Sequence, residues 1–129
     1  MSAFSDYLEN EILNHVLRGE VYTPPDNVYV SLHTAPVGDD GSGAEVAGAS
    51  YERKLVSFTE ATDSEAENTA ALIWVNMPAT TVVAIGVWDN DDDPDPGNLL
   101  FHGNLIESRP LSAGDPFTFN IGDLRIVLD

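Results

Sequence analysis

The spacing of apolar residues along the chain changes from a helical period to a strand period after about residue 20. Residues 5 to 18 repeat apolar side chains as an amphipathic helix does. Ser5 or Asp6 can cap the start of this helix, and Gly19 suits its end. We expect the apolar half of the helix to be buried against a sheet or against a second subunit, so its residues are interface candidates. They are Leu8, Ile12, Leu13, Val16 and Leu17.

The remainder of the chain has the pattern of short strands. From Asn27 to Thr34, apolar and polar residues alternate, which predicts a half-buried strand. Six further apolar segments, separated by turn-forming residues, lie near 51–58, 69–75, 82–88, 99–105, 117–120 and 124–128. Between them, 35–50 predicts a mobile loop, and 59–68 and 109–116 predict connectors.

One helix at about 5–18 and about seven strands over 27–129 predict a single, mainly β domain that spans residues 1–129. An antiparallel β-sandwich or a jelly-roll-like barrel fits this order of elements. Strands do not alternate with helices, which disfavours a parallel α/β fold.

The segment from Val82 to Leu105 predicts a β-hairpin with an acidic tip. Residues 89–97 of this hairpin contain five aspartates, two prolines and one glycine. Alternating carboxylates can bind calcium, but a calcium-binding loop of the EF-hand type needs glycine and glutamate where this chain has Pro94 and Leu100. We therefore predict a solvated turn, with no metal or cofactor. The weak metal candidates are Asp89, Asp91, Asp93 and Asp95.

The charge of the chain excludes some partners. Five basic residues stand against 22 acidic ones, a formal net charge of −17. Such a surface repels nucleic acid and anionic lipid, so we expect neither DNA nor a membrane as a partner. No apolar segment approaches the length of a membrane-spanning helix, and the N-terminus lacks a signal-peptide pattern, so we expect assembly without export. The acidity also suggests a halophilic source, because salt would screen the repulsion.

Catalytic patterns are missing from the sequence. His15, His33 and His102 lie in three different predicted elements, and neither H-E-x-x-H nor G-x-S-x-G occurs. The chain has no cysteine. We therefore predict that the protein is not an enzyme. The aromatic residues are expected to pack in the core, and Trp88, beside Asp89, is the candidate contact if a sugar-binding platform exists.

Two sets of residues carry a resemblance to a known family. The first is Glu9, Asn10, Leu13, His15, Gly19, Tyr22, Pro25, Val28 to Thr34, Glu45, Val46, Gly48, Tyr51 and Arg53. The second is Ile85 to Asp89, Gly97 to Phe101, Gly103 and Leu105. By the order and spacing of these motifs, nearly the whole chain resembles short virion proteins of tailed phages that are commonly labelled tail fibre proteins. The acidic turn NDDDPDP departs from the shorter turn usual in that family.

The resemblance implies a non-enzymatic structural protein on the outer surface of a tailed virus particle, assembled in the host cytoplasm. It would be a tail-fibre-type protein or a decoration protein on the head. Its partners would be copies of itself, with a trimer as our expectation, and other capsid or tail proteins. The alternative is a receptor-binding or carbohydrate-binding module that uses the loop at 35–50 and the tip at 89–97.

Overall fold

The computed structural model describes residues 2–128, so the predicted domain limits Met1 and Asp129 lie outside the described residues. The predicted helix is present as α1, Asp6–Arg18. The Ser5 hydroxyl accepts a hydrogen bond from the Leu8 backbone N–H at 3.1 Å, which caps the first turn. Gly19 ends the helix in the left-handed conformation, with φ of 69°. No helix in the described part of the chain has the length and apolarity to span a membrane.

The described strands form three antiparallel sheets. The strands are β1 (Ser2–Phe4), β2 (Val28–His33), β3 (Lys54–Val56), β4 (Glu65–Glu67), β5 (Leu72–Trp74), β6 (Thr80–Trp88), β7 (Leu99–Leu111), β8 (Phe117–Phe119) and β9 (Arg125–Val127). The main sheet has the order β1-β7-β6-β2-β3. The strand pairs β4-β9 and β5-β8 form the two smaller sheets.

The prediction of a mainly β, antiparallel fold is confirmed, and the arrangement is a sandwich rather than a closed barrel. Residues 2–128 form nine strands instead of the predicted seven. The two extra strands, β1 and β4, have three residues each, too few to show a period of two in the sequence. Moreover, β4 lies in a segment predicted as a connector, and β7 continues to Leu111 through part of another.

One face of the main sheet packs on the two smaller sheets. Val30, Leu32 and Val87 belong to this core and are almost completely buried. Trp74 and Phe117 meet edge to face, with ring centroids 5.8 Å apart. Edge-to-face packing of this kind adds to the stability gained from burying the rings.

The opposite face of the main sheet is also covered, which the sequence did not predict. Ser31 and His33 lie on this face of β2 and are fully buried, so the prediction of a half-buried strand is wrong. The segment at 35–50, predicted to be mobile, folds over them, and we call it the covering segment. Its Val46 backbone N–H donates to the Leu32 carbonyl at 2.9 Å, and its Val37 is 1% exposed.

Candidate functional site

Arg53 connects the covering segment, β3 and the acidic hairpin tip. Its guanidinium makes a two-pronged contact with the Glu45 carboxylate, with N···O distances of 2.9 and 3.2 Å. A further nitrogen of the same group donates to the carbonyl oxygens of Asn90 and Pro96, at 3.1 and 2.8 Å. The guanidinium carbon lies 4.0 Å from the centre of the Trp88 ring. The donors of Arg53 are thus largely used inside the molecule, and its side chain is 2% exposed.

Tyr51 and His33 extend this polar network. The Tyr51 hydroxyl donates to the Glu45 carboxylate at 2.6 Å and accepts from the Leu32 backbone N–H at 3.0 Å. Burial, together with the negative charge of Glu45, raises the pKa of Tyr51. Burial lowers the pKa of His33. The Gly43 carbonyl can only accept, so His33 Nδ1 donates to it at 2.8 Å.

Trp88, the predicted sugar contact, is buried with 7% of its surface exposed. The Arg53 guanidinium covers its ring, and the indole N–H donates to the Ser31 hydroxyl at 2.7 Å. Trp88 therefore offers no free ring face for stacking a sugar. It packs in a second apolar cluster with Val37, Ala84 and Leu99.

The acidic tip is held by its own side chains. Asp89 accepts from the Asn98 backbone N–H at 2.6 Å and from the Asn98 side-chain amide at 3.0 Å. Asp91 accepts from the Asp93 N–H at 3.1 Å, and Asp95 accepts from the Gly97 N–H at 2.9 Å. These contacts are typical of tight turns. The absence of calcium binding at the tip stays a prediction, which calorimetric titration with calcium tests.

A different carboxylate group comes together near the start of α1. Within the described part of the chain, Asp6, Glu9 and Asp39 bring their oxygens within 4.8 Å of one another, and all three are exposed. The predicted aspartates of the tip do not belong to this group. His102 already bonds to Asp39, with Nε2 at 2.7 Å from the carboxylate. We therefore describe this group as an ordinary exposed acidic cluster.

The predicted interface residues of α1 divide into two groups. Leu8 is 5% exposed and packs within its own chain, so it is not available to a partner, and Ile12 is half-buried. The other three project into solvent, and the sequence analysis missed Val21, which follows the helix and is 87% exposed. We call this surface the helix end; it consists of Leu13, Val16, Leu17 and Val21, whose exposed fractions run from 54% to 87%.

A groove of about 520 Å³ lies between β7 and the strands β8 and β9. We call it the β7 groove. Its inner wall includes Phe117 and Phe119, and its rim includes Ile106, Arg109 and Arg125. Ile106 is fully exposed. Arg109 makes no ion pair with any described residue, and its guanidinium lies 5.2 Å from the centre of the Phe117 ring.

A second depression of about 720 Å³ separates the covering segment from the hairpin tip. Its lining combines Tyr29 and Lys54 with several carboxylates, among them Glu52 and Asp92. Arg53 forms part of the wall, but its donors are already bonded, as described above. Sequence analysis could not find either depression, because each is lined by segments distant in the chain.

Comparison with known proteins identifies the family. No curated protein matches the chain. A family model described as "Podophage GP4 fiber I protein gp80" matches residues 3–127, which is almost the full length. The expected resemblance to phage tail fibre proteins is thereby confirmed, and so is the predicted location in the virion. The chain belongs to the podophage GP4 fiber I protein gp80 family and is a structural component of a phage particle.

Proposed function

We propose that this protein is a non-enzymatic building unit of the phage fibre, and that copies of the chain associate through the helix end. The observation that carries the proposal is the exposure of Leu13, Val16 and Leu17 on successive turns of one helix. Val21 extends the same apolar surface. Contiguous apolar side chains on an otherwise highly charged protein mark an interaction site.

The attachment of α1 supports this assignment. The helix is held at its start, where the Ser5 N–H bonds to the Leu100 carbonyl and the Asp6 N–H bonds to the Asp39 carbonyl. From His15 onward every residue of the helix is exposed. A helix that is anchored at one end and apolar at the other is well placed to be buried by a neighbouring copy.

The polar network around Arg53 supports a structural role of a different kind. Its side chains satisfy one another and the backbone, so they are engaged in holding the covering segment and the hairpin together. Glu45, Tyr51 and Arg53, which are among the residues that carry the family resemblance, meet in this network. We infer that they form a rigid scaffold that carries the helix end.

The position on the particle is part of the proposal. The family description favours a fibre over a head decoration protein, and a trimer stays our expectation for the assembly. An electron-microscopy map of the particle tests both, since a fibre gives a few copies at the tail and decoration gives hundreds on the head. The alternative, a receptor- or carbohydrate-binding module, would have to use the second depression. A glycan array with reproducible hits would favour that alternative.

Sedimentation velocity tests association through the helix end. We expect the wild-type chain to form oligomers as its concentration rises towards about 1 mM, where even a contact of about 4 kcal/mol is populated. The double substitution Leu17→Asp and Val21→Asp should leave a folded monomer. Val75→Asp is the matched control, because Val75 is 61% exposed but lies outside the helix end. A wild-type chain that stays monomeric, or a helix variant that still assembles, would contradict the proposal.

A further inference from the structure

We infer that the helix end of one copy docks in the β7 groove of a second copy, so that the chain assembles head to tail. This inference rests on the proposed association through the helix end and specifies what covers it. The two surfaces belong to the same chain and are both unoccupied by its own described residues. The helix end projects from the molecule, and the β7 groove is concave.

The β7 groove has the features of an acceptor for apolar side chains. Its volume of about 520 Å³ lies within the range of sites that bind ligands. Phe117, Phe119 and Leu124 belong to the buried core beneath the groove, whereas the half-buried Leu105 and the exposed Ile106 supply apolar surface that a partner can reach. An arginine stacked near an aromatic ring at the rim is typical of the residues that dominate binding energy at interfaces.

The main sheet is also open beside the groove. On its outer side, β7 pairs with β1 only from Phe101 to Gly103, and no described strand pairs with that side further along. On its inner side, β7 pairs with β6 at Asn104 and next at Arg109, so the residues between these two are out of register with β6. The intervening residues bulge outward, which places Ile106 in solvent at the rim. A neighbouring copy can therefore approach the groove without displacing another strand.

The charge of the β7 groove favours it as the place where a second copy binds. Two copies that each carry −17 repel wherever acidic surface meets acidic surface. The groove lining holds two arginines, Arg109 and Arg125, and two acids, Glu107 and Asp123. Arg125 is also paired with Glu65 and Glu67, whereas Arg109 has no carboxylate partner among the described residues. Arg109 therefore lowers the repulsion between copies at the groove.

The helix end supplies the matching charge. Glu20 lies between Leu17 and Val21 in the chain, and its ion pair with Arg18 is long, at 3.6 Å, and exposed. Exposed pairs of this kind are weak and easily exchanged. When Leu17 and Val21 enter the groove, Glu20 reaches its rim, where Arg109 has no carboxylate partner among the described residues.

A symmetric contact between two helix ends is less favourable. Two α1 helices could pair antiparallel, centred midway between Leu13 and Leu17. Glu9 of one helix would then lie beside Glu20 at the end of the other helix. Both groups are acidic, and the pair would occur twice in a two-fold contact. A head-to-tail contact avoids this repulsion, and it closes into a ring or continues as a filament according to the angle between copies.

Two complementary variants test the head-to-tail arrangement by sedimentation velocity. The helix variant carries Leu17→Asp and Val21→Asp, and the groove variant carries Ile106→Asp and Arg109→Glu. All four positions are exposed, so both variants should keep the wild-type circular dichroism spectrum. We expect each alone to be monomeric, with Val75→Asp assembling as the wild type does. A mixture of the two should form a 1:1 heterodimer and grow no further, because only one intact helix end and one intact groove can meet.

A charge exchange tests the specific pair. Glu20→Arg alone and Arg109→Glu alone should each weaken association by at least about tenfold, as loss of a charged contact at an interface does. Mixing E20R copies with R109E copies should restore assembly with the two variants alternating in equal amounts, because both contacts between unlike copies join opposite charges. If the helix variant or the groove variant misfolds, the single substitutions E20R and R109E still compare the two surfaces.

The outcomes separate the two proposals. A helix variant that dissociates while the groove variant assembles normally would overturn the head-to-tail inference and leave the proposed function standing. A helix variant that assembles normally, or a wild-type chain that stays monomeric, would overturn both. Failure of the charge exchange to restore binding, with both double variants monomeric, would overturn the pairing of Glu20 with Arg109.

Discussion

At the scale of single residues, Arg53 joins three segments that are far apart in sequence. Its contacts reach Glu45 in the covering segment and two carbonyl groups in the hairpin tip. Breaking a buried pair of this kind leaves a carboxylate and two carbonyl oxygens without their partner. Arg53 therefore links the covering segment directly to the hairpin tip.

Replacing Arg53 with methionine should lower the free energy of unfolding by about 3–5 kcal/mol, the range for breaking a buried pair by removing one partner. Urea unfolding followed by tryptophan fluorescence measures the change. Arg125→Met is the matched control, since the Arg125 side chain is 58% exposed and its ion pairs are 3.5 and 3.9 Å long. The control should change stability by less than about 1 kcal/mol. Equal effects of the two substitutions would contradict the special role of Arg53.

His33 gives the molecule a specific dependence on pH. Because burial lowers its pKa in the folded state, the unfolded chain binds the proton more readily. The contribution of His33 to stability is therefore complete above the ordinary pKa, about 6.5, and is lost as the pH falls below that value. The slope cannot exceed about 1.4 kcal/mol per pH unit for one proton.

Urea unfolding between pH 7.5 and about 5 tests the pH dependence of His33. We expect the wild-type chain to lose stability with falling pH more steeply than a His33→Gln variant does. The carboxylates contribute equally to both proteins, so the difference in slope isolates the histidine. Parallel curves for wild type and His33→Gln would rule out this effect.

At the scale of elements, local signals in the sequence predicted α1 and the long strands. Ser5 and Gly19 marked the helix, and both caps are present. The apolar runs of the hairpin marked β6 and β7. The interior of a strand is set by short-range patterning, so these elements could be found without knowledge of tertiary structure.

The features that were not predicted from the sequence depend on contacts between segments that are distant in the chain. The burial of His33 results from the covering segment folding back over β2, and the alternation of β2 gave no sign of it. Ile106 and Arg109 form a groove rim only because β7 bulges beside β8 and β9. The burial of Arg53 was not predictable from its neighbours in sequence, because it depends on the distant hairpin tip. The family motif of Arg53 indicated a role, but not which groups it contacts.

The hairpin tip depends on Gly97, which allows a substitution test. Gly97 has φ of 72°, and a Cβ there would lie 2.3 Å from a carboxylate oxygen of Asp89. Gly114 has φ of 91°, and a Cβ there would meet nothing within 4 Å. Gly114→Ala should therefore cost only the left-handed conformation, about 1 kcal/mol.

Gly97→Ala should cost at least about 1 kcal/mol more than Gly114→Ala, because the added methyl group displaces the Asp89 carboxylate from Asn98. Thermal unfolding of the two variants measures the difference. Hydrogen exchange at the Asn98 amide, which donates to Asp89, should also become faster in Gly97→Ala alone. Equal melting temperatures for the two variants would show that the tip tolerates displacement of Asp89.

At the scale of the whole molecule, net charge opposes both folding and assembly. A chain with 22 acidic and 5 basic residues repels itself within one copy and repels its neighbours in a fibre. The described basic residues other than Arg109 have carboxylate partners in the same chain. Screening by salt is therefore the general means of reducing the repulsion, both inside the molecule and between copies.

We expect the melting temperature at pH 7 to rise as sodium chloride is increased from about 0.1 to 1 M, because the screening length falls from about 10 to 3 Å. The control is the same series near pH 4, close to the sequence pI of about 4.1, where the net charge is small. There the effect of salt should largely disappear. Association through the helix end should strengthen over the same range at pH 7, since its core is apolar and the repulsion around it is screened. An equal rise in melting temperature at both pH values would mean that salt acts on hydration instead of on charge, and no rise at pH 7 would remove the reason to expect a halophilic source.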